Sequence, residues 1–163
     1  MDRVWAPWRM EYIESADEIE GCIFCIALEN TNDEQHSVLV RRENCFAMLN
    51  KYPYNGGHML IAPNTHTGQI GSIPATILGE MMQLTADCQK IINEVMQPHG
   101  FNIGINIGRV AGAGIVDHLH IHIVPRWNGD TNFMPVLSDT KVMPQSLKDT
   151  YQILLRKKQE LFS

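Results

Sequence analysis

Histidine stands at every second position from 118 to 122, in the run Asp117-His118-Leu119-His120-Ile121-His122-Ile123-Val124-Pro125-Arg126. Period two is the period of an extended strand, whose side chains point alternately to opposite faces. The pattern predicts a strand over His118–Val124, with His118, His120 and His122 on one face and Leu119, Ile121 and Ile123 buried on the other. The inverse register would desolvate three imidazoles and expose the aliphatic residues. At a rise of ~3.3 Å per residue, neighbouring imidazoles stand ~7 Å apart and the outer pair ~13 Å apart. Three rings so spread close poorly around one ion with bonds of about 2.1 Å. The spacing favours one histidine acting as a nucleophile, its neighbours setting its tautomer and the charge around it. The bland alternative is a solvated face, but imidazole has no strand propensity that would explain the repetition.

The preceding segment, Ile105-Asn106-Ile107-Gly108-Arg109-Val110-Ala111-Gly112-Ala113-Gly114, offers an amide side chain and a nearly bare backbone. Such a loop can bring N–H donors close to phosphate oxygens. No Asp/Glu cluster of the Mg²⁺-holding kind lies beside it, and Asp117 is expected on the face opposite the histidines, so no catalytic metal is expected.

Around this strand the chain reads as α+β with a mainly antiparallel sheet of about five strands, a central helix and a C-terminal helix. Ser37–Arg41, Cys45–Leu49 and His58–Ala62 read as strands, with the turn-rich Tyr52-Pro53-Tyr54-Asn55-Gly56-Gly57 between the last two. Ile77, Met81, Leu84, Cys88, Ile91, Ile92 and Val95 form the stripe of an amphipathic helix. Ser72 is the expected N-cap, Pro74 falls in the first turn, and Pro98 with Gly100 ends it. Phe101 to Gly108 alternates large and small residues, which suits a strand with one face pressed close to something. Residues 145–161 read as the second helix. Without repeats or a linker, residues 1–163 are expected to form one domain, with residues 1–20 an aromatic, proline-containing arm.

A net charge of -5 leaves no basic footprint, which argues against nucleic acid as the main partner but not against a small anionic ligand. No signal-peptide core and no apolar run of ~18 residues is visible, so no membrane association is expected and the chain reads as cytoplasmic. In a reducing compartment the four cysteines are not expected to form disulfides, and Cys45 and Cys88 read as small core residues. Cys22-Ile23-Phe24-Cys25 alone is ambiguous among redox, zinc and two buried thiols.

His118-Leu119-His120-Ile121-His122-Ile123-Val124 resembles the signature of the histidine triad (HIT) family. The resemblance extends to Asn50–His58 and to Pro63-Asn64-Thr65-His66. Trp5–Met10 and Asn128–Phe133 are similar to the branch of diadenosine tetraphosphate phosphorylases and ATP adenylyltransferases. The resemblance implies a nucleotidyl hydrolase or transferase acting on dinucleoside polyphosphates. In it His120 forms a covalent nucleotidyl-histidine, which water or phosphate releases. His122 and Asn106 would stabilise the phosphoryl charge, together with the loop at Gly112, Ala113 and Gly114. Asn50 would contact ribose, and Trp127 offers an aromatic face to a second base. Cys22, Cys25, His66 and His118 would form the closed Cys₂His₂ set of a structural zinc. A homodimer joining two sheets is also implied. The branch is expected to carry a hydroxyl residue in the loop where this chain has Ala113 and Gly114, which leaves water open as the acceptor. Alternatives are a nucleoside phosphoramidate or acyl-adenylate hydrolase using the same His120, and a zinc-stabilised nucleotide-binding interaction protein without turnover.

Overall fold

The computed structural model describes residues 21–130 and 145–162. The arm at residues 1–20, including Trp5 and Trp8, lies outside the described residues, as do Thr131, Asn132 and Phe133. In chain order the elements are α1 (Ile23–Glu29), α2 (Asp33–His36), β1 (Val38–Arg41), β2 (Cys45–Leu49), β3 (Met59–Pro63), α3 (Ala75–Met96), β4 (Gly100–Ile105), β5 (Ile121–Arg126) and α4 (Leu147–Phe162). The strands form one sheet in the order β1-β2-β3-β5-β4, antiparallel at every pairing. Among the described residues no helix is long and apolar enough to cross a membrane.

Both faces of the sheet are covered over β2 and β3, which is why every residue of these strands is buried rather than every second one. One face carries Cys45, Ala47, Leu49, Met59, Ile61, Leu119, Ile121 and Ile123 against Met81, Leu84, Cys88, Ile91 and Ile92 of α3 and Leu154 of α4. The other face carries Phe46, Met48, Leu60 and Ala62 against Phe24 and Ala27 of α1. Cys45 and Cys88 are buried core residues, and burial pushes the Cys88 thiol up to about 12.

The histidine strand begins later than its alternation predicts, at Ile121 rather than His118. Its partner β3 ends at Pro63, which has no N–H to extend the ladder beyond the Ile61–Ile121 pair. Leu119 donates its amide to Thr67 O instead, at 2.7 Å. The alternation of faces nevertheless persists through the approach. The long helix starts at Ala75, with Pro74 rather than Ser72 at the N-cap. Proline biases the residue before it towards extended backbone, and Ile73 sits at φ -91°, ψ 125°. Ser72 closes a separate 3₁₀ turn over Ile70–Ser72. At the other end Gln97 takes a left-handed φ of 46° and stops the helix before Pro98. Ser37 is likewise left-handed, capping α2 instead of opening β1.

Candidate active site

The two faces separate the histidines from the aliphatic residues between them. His118 and His120, 0% and 5% exposed, pack against the Phe24 ring, each at a centroid distance of 4.9 Å. His122 lies between Leu60 on β3 and Gly104 on β4 in the register. The ring centroids of His120 and His122 are 4.8 Å apart with planes at 56°, closer than the backbone rise alone suggests.

Main-chain groups fix which nitrogen of each ring carries the proton. His120 Nδ1 lies 2.8 Å from His118 O, and a carbonyl can only accept. Nδ1 is therefore protonated and Nε2 carries the lone pair. Burial holds the His120 imidazole below its ordinary value, against the upward pull of the bond to His118 O. The ring is thus a neutral base with a nucleophilic Nε2 at neutral pH. His118 Nε2 lies 2.8 Å from Pro63 O, which puts the proton on Nε2 and turns the lone pair of Nδ1 towards the cysteines.

A fourth histidine, to which the sequence motifs assign no role, completes the arrangement. His58, 1% exposed at the entry to β3, accepts at Nδ1 from the Tyr54 amide at 3.1 Å, with the Asn50 side-chain amide 3.3 Å away. Its Nε2 must then carry the proton, which it donates to His122 Nδ1 at 2.9 Å. His122 in turn keeps its proton on Nε2, as a donor on the triad face. The signal that could have found His58 is its position directly after the turn Tyr54-Asn55-Gly56-Gly57, on a strand next to the triad strand. Tyr54 adds a ring nearly parallel to His122, at 5.8 Å and 9°.

Asn106 follows β4 one position past Ile105, the partner of Ile121, and lines a cavity together with His122. Asn50 ends β2, giving its amide to His58 O at 2.9 Å and accepting from the Tyr52 amide at Oδ1, so strand termination and site support coincide there. The glycine loop is a 3₁₀ turn over Arg109–Ala111, entered by Gly108 at φ 83° and left by Gly112 at φ 89°. The amides of Gly112 and Ala113 bond to Arg109 O and Gly108 O within the loop itself. Two amides expected to meet phosphate are therefore already engaged, leaving the loop's share to positions such as Gly114. Trp127 lies on the opposite face from the triad, its indole N–H donating to Met96 O at the end of α3 at 3.3 Å. The structure does not bring it to the histidines within one chain.

Cys22, Cys25, His66 and His118 converge, each offering one ligand atom, all within 4.8 Å of one another. Cys22 Sγ and Cys25 Sγ lie 3.3 and 3.8 Å from His118 Nδ1, and Cys25 Sγ lies 3.3 Å from His66 Nδ1. Donors around a tetrahedral Zn²⁺ stand about 3.5 Å apart, so the set fits that ion. Burial raises the Cys22 thiol, but bonds from His118 and from the amides of Cys25 and Phe24 outweigh it and bring the group down to about 6. Cys22 does sit at a helix N-terminus, which a redox motif also favours, but the sheet is antiparallel throughout and offers no thioredoxin-like unit.

A HIT domain model matches residues 31–129. An AP-4-A phosphorylase of Mycobacterium tuberculosis (strain CDC 1551 / Oshkosh) is 35% identical over 161 residues, covering 94% of this chain and 83% of that protein. A zinc-bound histidine triad family protein from Mycobacterium smegmatis has a similar structure, with a TM-score of 0.68 and 26% identity over 86% of this chain and 95% of its own. A hypothetical histidine triad nucleotide-binding protein from Sulfolobus tokodaii strain7 gives 0.65 and 27%, over 85% and 90%. With its triad, its sheet and these relatives, the chain belongs to the HIT family, as an enzyme of the branch that includes the AP-4-A phosphorylase.

Proposed function

We propose that the enzyme cleaves dinucleoside polyphosphates such as diadenosine tetraphosphate through an adenylyl group carried on His120. The observation that carries this reading is the tautomer set. His120 Nδ1–H is held by His118 O, so Nε2 presents its lone pair beside the Nε2–H of His122. Nε2 attacks the α-phosphorus and forms an N–P bond. The bridging P–O bond breaks, and the oxygen leaves on the outgoing nucleotide. His122 Nε2–H and the Asn106 amide face the charge that develops on the phosphoryl oxygens. In the second step water or inorganic phosphate attacks the adduct, giving AMP or ADP and freeing His120.

The relative named AP-4-A phosphorylase supports this substrate class and inclines the acceptor towards phosphate. Ala113 and Gly114 in the loop, with no hydroxyl between them, keep hydrolysis as the second reading. A zinc ion on Cys22, Cys25, His66 and His118 would be structural, tying α1 to the segment that leads into β5. The enzyme works as a homodimer in this reading, and no metal is required at the phosphates. Incubation with diadenosine tetraphosphate, with and without phosphate, tests the proposal by the identity of the products. ATP with ADP means phosphorolysis, and ATP with AMP means hydrolysis. A protein that turns over no dinucleotide and forms no acid-labile adduct would refute it.

A further inference from the structure

Beyond His122 the triad face of β5 continues, by the same alternation, through Val124 to Arg126. Antiparallel pairing sets Gly104 beside His122, Asn102 beside Val124 and Gly100 beside Arg126. All of these but Gly100 line a cavity of about 290 Å³, together with Asn106, Tyr54 and Asn55. From His122 to Arg126 the strand advances ~13 Å. On the other side of His122 the register runs to Leu60 on β3 and Met48 on β2, with Asn50 just past the end of β2, and the proposed function puts the transferred nucleotide on that side.

The charge in this groove is already balanced. Arg126 holds Asp130 with two bonds, Nε to Oδ2 at 2.6 Å and Nη2 to Oδ1 at 3.0 Å, and gives Nη1 to Asn102 Oδ1 at 2.8 Å. Asn55 Nδ2 donates both to Asp130 Oδ2 at 2.8 Å and to Pro125 O at 3.0 Å. A carboxylate in the lining, paired with the nearby guanidinium, makes a poor place for a phosphate chain. Amides, an aromatic ring and an apolar floor suit a nucleoside.

Gly104 bears independently on the same point. Glycine in a strand interior weakens the strand and often marks a place where a ligand or another backbone comes close. A Cβ at Gly104 would meet no atom within 4 Å, so no described part of the chain uses the space that this glycine leaves.

We infer that the groove over Gly104 and Val124, between Tyr54 and Asn102, binds the second nucleoside of the substrate, the half that leaves with the outgoing phosphates. The inference rests on the proposed cleavage of dinucleoside polyphosphates. It gives the second nucleoside a place on the triad face, which Trp127 does not occupy.

Two substrates of equal phosphate length separate the subsite from the chemistry: diadenosine tetraphosphate, and adenosine tetraphosphate, which lacks the second nucleoside. The readout is the ratio of their kcat/KM values, which is internal to each variant and does not depend on how much protein is active. Asn102→Trp and Gly104→Phe each fill the groove, and Gly104 has no left-handed φ that would strain the replacement. The wild-type ratio is expected to favour the dinucleotide and to fall roughly tenfold or more in each variant. A wild-type ratio near one, or a ratio unchanged in both variants while both substrates are turned over, overturns the subsite. If the wild type turns over neither substrate, the proposed function fails, and the subsite falls with it.

Discussion

His120→Asn removes the Nε2 lone pair that, in the proposed function, forms the bond to phosphorus, while a polar side chain fills much of the space beside Phe24. Turnover of diadenosine tetraphosphate is expected to fall by at least about 10³-fold, because no neighbouring group can take over the covalent step. Nucleotide binding, measured by calorimetry on the same variant, is expected to survive, since contacts away from the reacting atoms supply the affinity. Near-normal turnover would remove the nucleophile assignment. His58 acts one step further back, as a positioning residue. Its Nε2–H holds His122 Nδ1, and this bond determines that His122 presents a donor rather than a lone pair to the substrate. His58→Ala should lower kcat by roughly 10–100-fold with little change in KM, and His58→Asn, which restores an N–H, should recover part of it. An equal rise in KM with kcat intact would mean that His58 serves only to hold the fold.

At the scale of elements, α1 meets the approach to β5 at the Cys22, Cys25, His66 and His118 cluster. Cys22 and Cys25 come from the N-terminal end of α1, His66 from the segment after β3, and His118 from the approach to β5. One zinc per chain is expected by elemental analysis. Its removal by a chelator, or by Cys22→Ser with Cys25→Ser, should lower the melting temperature by roughly 5–10 °C. Hydrogen exchange should quicken first in residues 22–29, the part of the chain that the cluster anchors. At the far end of β5, Asp130 accepts from Arg126, Asn55 and the Trp127 amide, and Arg126 foremost holds its carboxyl well below the usual range. A carboxyl so depressed contributes fully above its unfolded value of about 3.9 and loses that contribution as pH falls below it. Asp130→Asn should therefore cost about 1–2 kcal/mol at pH 7, and the gap from the wild type in urea unfolding should narrow towards pH 3. A gap independent of pH would mean that the carboxylate's charge is not what holds this turn.

The elements themselves were largely legible, because α3 and β2 to β5 announce themselves by period and by flanking glycine and proline. Helix α1 was not, because Ile23–Glu29 is only seven residues long and its buried side, Phe24 and Ala27, is too short to show a period. The triad face was legible from residue identity alone. His58 and the groove were not, since they exist only once β3, β4 and β5 lie side by side, and nothing local to Asn102 or Asp130 marks them as neighbours of His122.

For the whole molecule, the feature that bears on assembly is the edge of the sheet. Strand β4 has a partner on one side alone among the described strands, and along and beyond it Ile103, Ile107 and Val110 are 43%, 51% and 106% exposed. An unprotected edge bearing apolar side chains invites pairing with another chain, and pairing with a second copy closes that edge by symmetry. The proposed homodimer would join two five-stranded sheets across β4. It would also set a second strand beside the groove that Asn102 and Gly104 line, so assembly and the handling of the second nucleoside would be linked. Sedimentation of the wild type is expected to give twice the mass of the chain. Ile107→Lys, just past β4 and outside the groove's lining, puts a charge beside the edge and should shift the protein to monomer without disturbing the Cys22, Cys25, His66 and His118 cluster. If the monomeric variant still prefers diadenosine tetraphosphate over adenosine tetraphosphate to the wild-type extent, each chain carries a complete subsite. A preference that vanishes with the dimer would mean that the second copy supplies its outer wall. A wild type that sediments as a monomer at micromolar concentration would leave β4 an open edge and refute the dimer.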